Sequence, residues 1–201
     1  MHPSRPSSRA QVGLLALVVG PSGAGKDTVI AGARAKLTDD PRFAFPARVI
    51  TRPRDGSVEQ HIPISAAEFD VAESTGSFAL SWRSHGHAYG IPIGALDGLA
   101  RDQIVVLNIS RTMIVRAEAL ASRVAVLNVT ASPDVLAMRL SARGRETRDD
   151  VRRRLERDVP IATLNAPVFS ISNDGAPAAG IEHFKSVLLG LAENHSAETG
   201  Q

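Results

Sequence analysis

Nine consecutive residues, Gly20-Pro21-Ser22-Gly23-Ala24-Gly25-Lys26-Asp27-Thr28, combine glycines and a lysine at a spacing suited to binding polyphosphate. Glycines let successive backbone N–H groups turn inward around a phosphate chain, and a helix N-terminus adds partial positive charge. Lys26 brings a full charge that can reach β- and γ-phosphates. Where such loops place Ser or Thr after the lysine, to set a hydroxyl on Mg²⁺, this chain has Asp27 and then Thr28. A carboxylate is a hard oxygen ligand, so Asp27 is a candidate for Mg²⁺; the plainer alternative is an acid that complements the helix dipole. The plainer alternative for the loop is a glycine-rich turn without a ligand.

The loop needs a strand before it and a helix after it. Leu14–Val19 is a short Val- and Leu-rich run of the kind found in buried parallel strands, and 26–37 has helical spacing. Further strand-like runs occur at 47–50, 104–109, 124–129 and 168–172. Helical patterns lie at 92–100, 112–120, 133–142, 149–157 and 180–193. Alternating strands and helices predict an α/β fold with a central parallel sheet covered on both faces, three layers in all. Ligands of such sheets bind beyond the carboxyl ends of the strands.

Two stretches interrupt that rhythm. Residues 51–92 predict a small β-rich insertion, within which Ser65-Ala66-Ala67-Glu68 reads as a capping box opening a short helix. Arg143-Gly144-Arg145-Glu146-Thr147-Arg148 reads as a charged hinge suited to a closing lid, about 142–149. The expected organisation is a disordered leader at 1–11, one domain at 12–193 with its core at 12–50 and 93–193, and a flexible tail at 194–201. The 201 residues are 43% hydrophobic, enough for one substantial core. The formal net charge of +2 argues against a nucleic-acid partner. Lys26, Lys36 and Lys185 are the only lysines, and arginine supplies the rest of the positive charge. With no cysteine there is no disulfide framework or zinc–thiolate site, which fits a cytoplasmic protein. The apolar run before the loop is too short to span a membrane. Either a monomer or a homodimer is compatible with these features.

Taken together, the glycine loop, Thr51-Arg52-Pro53, Tyr89-Gly90, Arg139-Leu140 with Arg143-Gly144, Glu146-Thr147, Arg154-Leu155 and Asn173-Asp174 resemble the guanylate-kinase-like P-loop kinases, in family order from about Leu14 to Leu189. The chain departs from guanylate kinase where that family reads guanine. The insertion runs Phe78-Ala79-Leu80-Ser81-Trp82-Arg83, and the strand at 104–109 continues into Ser110-Arg111, both without the expected acid. Guanine donors left unpaired in a closed site cost on the order of 1–3 kcal/mol each. Gly25-Lys26-Asp27, Trp82-Arg83-Ser84-His85-Gly86 and Asn108-Ile109-Ser110-Arg111 resemble instead a sister family, the ribose 1,5-bisphosphate phosphokinases of phosphonate breakdown.

That resemblance implies ATP and Mg²⁺ as cofactors and a phosphorylated sugar as acceptor. It implies Gly20 to Thr28 and Asn173 as the nucleotide site, with Asn173 at adenine or, equally, in a simple turn. It implies Lys26, Arg139, Arg143 and Arg154 around the transferred group; Arg139 and Arg143, four apart, share a helix face. Arg52, His61, Tyr89, Ser110 and Arg111 are the implied acceptor contacts, with Arg54 a weaker match. Solvated loop or strand positions are the alternative for Arg52 and His61, and a packing role for Tyr89. Arg83, His85 and His87 could line the sugar pocket or a solvated edge. The alternatives for the whole chain are a guanylate kinase and a non-catalytic guanylate-kinase-like binding module.

Overall fold

A computed structural model describes residues 13–53, 59–141 and 160–199. β1 (Leu14–Val19) is buried at every position. Leu14, Ala16 and Val18 enter one apolar cluster with Val29, Ala33, Phe184 and Leu188. Leu15, Leu17 and Val19 enter another with Leu99, Ile114 and Ala117. A strand so covered on both faces must lie inside a parallel sheet between helical layers. It does: β2 (Phe43–Ala44), β7 (Ile104–Asn108), β1, β8 (Val124–Thr130) and β9 (Val168–Ser172) form a sheet in that order, parallel throughout. α1 (Lys26–Lys36) packs against α5 (Pro177–Thr199) on the first face. A 3₁₀ helix (Ile93–Arg101) and α3 (Ile114–Glu118) cover the second. α4 (Pro133–Ser141) follows β8.

A second sheet has the order β4 (His61–Pro63), β3 (Arg48–Ile50), β6 (His87–Pro92), β5 (Phe78–Ser84). The β5–β6 hairpin turns at His85 and Gly86, with φ of 51° and 76°. Two successive positive values are the mark of a tight primed turn whose twist matches the strands. α2 (Ala66–Ser74) opens with the expected reciprocal capping box between Ser65 and Glu68.

Three expectations need correction. The run at 47–50 is not a strand of the main sheet; Arg48–Ile50 pairs with β4 and β6, and the main sheet takes the two residues Phe43–Ala44 instead. Pro46 stands between them and separates two short strands, of which the hydrophobic pattern picked out only the second. The region at 92–100 is a 3₁₀ helix rather than an α-helix. The flexible tail expected from Asn194 is helical to Thr199, because His195 is 4% exposed and docks against the body of the protein. The leader at 1–11, the lid at 142–149 and the helix at 149–157 lie outside the described residues.

Candidate active site

The glycine loop leaves β1 and enters α1 through three glycines at positive φ: Gly20 at 150°, Gly23 at 88° and Gly25 at 86°. Gly25 is the left-handed residue immediately before α1, and no side chain caps that helix. The first-turn N–H groups are therefore left to face an anion. A Cβ on Gly25 would strike the amide of Asn173 and come within 3.8 Å of Arg139 Nη1. Asn173, expected at adenine, is 4% exposed and donates from Nδ2 to Ala24 O at 2.7 Å. It braces the loop from beneath. Pro21, Ser22 and Ala24 form the bend, with Ala24 N donating to Pro21 O at 3.3 Å, and Thr28 sits in the first turn of α1.

Lys26 folds back over the loop. Its ammonium donates to Gly20 O at 2.8 Å and Pro21 O at 3.0 Å. Burial lowers its pKa to about 8. Asp27 opposes that shift, and the charges of Arg48 and Arg111 add to it. Arg139, near the end of α4, has a buried Nη1 with no hydrogen-bond partner among the described residues, beside Gly25. A buried guanidinium nitrogen without an acceptor next to a phosphate-shaped loop is a donor waiting for an oxygen.

Across from the loop stands a polar ledge. Asp27 Oδ1 accepts from Asn108 Nδ2 at 2.8 Å. Asn108 ends β7, and its carbonyl accepts from Arg48 Nη1 at 3.1 Å. Glu59 bridges two guanidiniums: one oxygen pairs with Arg48, the other with Arg52 Nη2 at 3.1 Å. Arg48 lies 5.4 Å from the ring centroid of Tyr89, which stacks on Trp82 at 5.3 Å and 5°. Burial raises the pKa of Tyr89, keeping its hydroxyl protonated. Arg48 and Glu59 were not singled out by sequence reasoning, and Asn108 entered only as the first residue of the 108–111 motif. Glu59 carried a signal, as an acid two residues before His61 and seven after Arg52.

Other expected residues take different places. His61 is 4% exposed, and its Nε2–H donates to Arg52 O at 2.9 Å, so it holds the backbone that carries Arg52. Ser110 caps the short 3₁₀ helix Arg111–Met113, its hydroxyl bonded to that of Thr112 at 2.9 Å. Arg111 is partly buried, which lowers its pKa, and its charge reaches Lys26. Arg83 turns outward to Asp70 and Glu73, which makes it a solvated edge residue. His87 Nδ1–H donates to Thr51 O at 3.0 Å. The structure thus brings together Lys26, Asp27, Arg139, Arg52, Tyr89 and Arg111; Arg54, Arg143 and Arg154 lie outside the described residues. No described helix is long and apolar enough to cross a membrane.

Comparison with known proteins places the chain in a family. No family model matches the chain. It is 45% identical over 160 residues to the ribose 1,5-bisphosphate phosphokinase of Agrobacterium fabrum, covering 80% of this chain and 87% of that one. It is 40% identical over 195 residues to the ribose 1,5-bisphosphate phosphokinase of Rhizobium etli, covering 96% and 99%. A bifunctional ribose 1,5-bisphosphokinase-thymidine phosphorylase of Azorhizobium caulinodans is 43% identical over 180 residues, 88% of this chain but only 26% of that longer protein. Among solved structures, guanylate kinase of Anaplasma phagocytophilum superposes with a TM-score of 0.58 at 15% identity over 90% of this chain and 87% of that one. A gluconokinase of Sinorhizobium meliloti superposes at 0.50 with 19% identity over 94% and 99%. Those two likenesses show the fold alone, a P-loop kinase fold. The sequence relatives show more: the chain belongs to the ribose 1,5-bisphosphate phosphokinase family.

Proposed function

We propose that this chain transfers the terminal phosphoryl group of ATP to the 1-phosphate of ribose 1,5-bisphosphate, giving 5-phosphoribosyl 1-diphosphate and ADP. A 1-phosphate oxygen forms the new P–O bond, and the bond from the γ-phosphorus to the β-bridging oxygen breaks. The observation that carries this reading is the ledge of Arg48, Glu59 and Arg52 facing a glycine loop that already holds Lys26 in place. No general base is needed, because an acceptor phosphate oxygen is ionised at neutral pH. What the protein must supply is alignment and cations around the transferred oxygens.

Lys26 and Arg139 fit that task from the loop side, and Arg52 and Arg111 from the acceptor side. Arg143, in the expected lid, and Arg154, in the stretch that follows it, are proposed as further cations. The unpartnered Nη1 of Arg139 supports phosphate oxygens as its acceptor. Tyr89 is proposed to offer its hydroxyl to the acceptor, held by its stack on Trp82. His61 acts through Arg52, as a positioning residue. Guanine is disfavoured: by resemblance to guanylate kinase an acid is expected in 78–83 and just after β7, and neither 78–83 nor 108–111 contains one.

The donor set also fits Mg²⁺. Asp27 offers a hard carboxylate, held by Asn108 through one oxygen. Among the described residues no group of three or more His, Asp or Glu surrounds a common point, so phosphate oxygens would complete the shell. Bound there, Mg²⁺ would supply neutralising charge between Asp27 and the phosphates. Asp27→Ser should then shift the Mg²⁺ concentration needed for half-maximal nucleotide binding, measured by calorimetry. An unchanged metal titration would remove Asp27 from the metal site. The overall reading is tested by ³¹P NMR of the product from ribose 1,5-bisphosphate and, in parallel, from GMP. A new diphosphate signal from the sugar is expected; turnover of GMP alone overturns the proposal.

A further inference from the structure

An acceptor with two phosphates needs a second anion site, and the residues around the glycine loop account for only one. A cavity of about 260 Å³ begins at Asp27 and Asn108 and runs along α1 as far as Thr38. Ile30 and Ala31 form one wall and Phe45 and Pro46 the other, an apolar slot for the body of a small ligand. Its lining includes two cations, Arg48 and Arg34. Arg48 is paired with Glu59, which it shares with Arg52. Among the described residues Arg34, two helical turns further on, meets only the neutral amide oxygen of Gln60, at 2.8 Å from Nη1. That bond aims the guanidinium without neutralising it, and the planar fork keeps donors for a phosphate.

We infer that Arg34, steadied by Gln60, binds the distal phosphate of the acceptor, so that the cavity along α1 is the sugar-phosphate pocket. The inference rests on the proposed acceptor. Arg34 lies seven residues beyond Asp27, about 10 Å along a helix rising ~1.5 Å per residue. The two phosphorus atoms of ribose 1,5-bisphosphate are joined through seven single bonds of roughly 1.5 Å, a span on the order of 8 Å. A molecule with one phosphate beside Lys26 therefore reaches Arg34 with the other. Glu59 and Asn108 lie along the path between, where carboxylate and amide oxygens suit ribose hydroxyls. Specificity for a sugar bisphosphate then comes from the separation of two cationic points, with no base-reading group required.

The test uses ribose 5-phosphate, which carries the distal phosphate alone, titrated calorimetrically into the wild-type protein, Arg34→Gln and Arg34→Lys. Loss of a charge-assisted contact should weaken binding at least about tenfold in Arg34→Gln, with Arg34→Lys recovering much of it. In turnover, Arg34→Gln should raise KM for ribose 1,5-bisphosphate while KM for ATP holds. Equal affinity of wild type and Arg34→Gln for ribose 5-phosphate, or no binding by either, overturns the inference. Arg34-dependent binding of ribose 5-phosphate without turnover of the bisphosphate would sink the proposed reaction and leave the subsite standing. Turnover with an unmoved acceptor KM would do the reverse.

Discussion

Lys26 shows what a single residue gives up to be ready for a polyphosphate. It is partly buried, tied to two loop carbonyls and close to Arg48 and Arg111. Burial holds its pKa near 8, against 10.5 for the free side chain. Between those two values the unfolded chain binds a proton that the folded chain does not, so this group makes stability rise as pH increases from about 8 to about 10.5. Below pH 8 the cost of the buried charge is felt in full. The difference in stability between wild type and Lys26→Met, measured by urea unfolding without nucleotide, should therefore move in favour of wild type across that window. A difference independent of pH would show that the ammonium is as well solvated folded as unfolded. Saturation with ATP should flatten the dependence, because phosphate restores the pKa of the lysine. Turnover in Lys26→Met should fall by about two to three orders of magnitude, the usual effect of deleting a charge aimed at the transferred group.

Elements decide whether such residues meet. β1, the glycine loop and α1 were legible because each follows a local rule: a doubly buried strand, positive-φ glycines and a helix start. The Ser65 capping box was legible for the same reason. The ledge was not, since Arg48, Glu59 and Asn108 lie on β3, on the segment before β4 and on β7, and are brought together only by sheet pairing. The burial of His61 was not legible either, because it comes from the parallel pairing of Arg48 with His61, which no local pattern encodes. Glu118 is a comparable tertiary device. From α3 it accepts the backbone N–H groups of Leu164, Asn165 and Ala166 at 2.7, 3.2 and 2.8 Å. That clamp fixes the chain just before β9, on the return from the proposed lid. Burial raises the pKa of Glu118, but the three donors outweigh it and the net shift is downward from 4.5. Its stabilisation is thus present above pH 4.5 and lost as pH falls through the lower, folded-state value. Glu118→Ala should cost about 1–3 kcal/mol at neutral pH. The cost should shrink in acid, as followed by thermal unfolding; a loss that stays constant into strong acid would mean that packing, not the charge, is what Glu118 contributes.

Across the whole molecule, the two ends of the parallel sheet do different work. The carboxyl ends of β1, β7, β8 and β9 lead into the glycine loop, Asn108, α4 and Asn173, where close-set cations and an unpartnered Arg139 nitrogen are poised for a ligand. At the amino ends the polar groups satisfy one another. Arg123, just before β8, donates to His195 Nδ1 at 2.7 Å, and His195 Nε2–H donates to Asp102 Oδ1 at 2.6 Å, just before β7. Arginine can only donate, so the imidazole keeps its proton on Nε2 and joins both strands to the last turns of α5. α5 in turn packs along α1, which starts at the opposite end with Lys26. Stability and chemistry are therefore separable by position. His195→Ala should lower stability by about 1–3 kcal/mol, or roughly 2–4 °C in Tm for each kcal/mol in a domain of this size. It should leave kcat/KM of the folded enzyme at the wild-type value. Arg139→Ala should do the opposite, lowering kcat/KM while Tm holds or rises, since it relieves a buried donor that has no acceptor among the described residues. Calorimetric melting and steady-state kinetics on the two variants decide the matter. If His195→Ala changed KM for ATP, α5 would be transmitting strain along α1 into the glycine loop, and the two ends would be coupled after all.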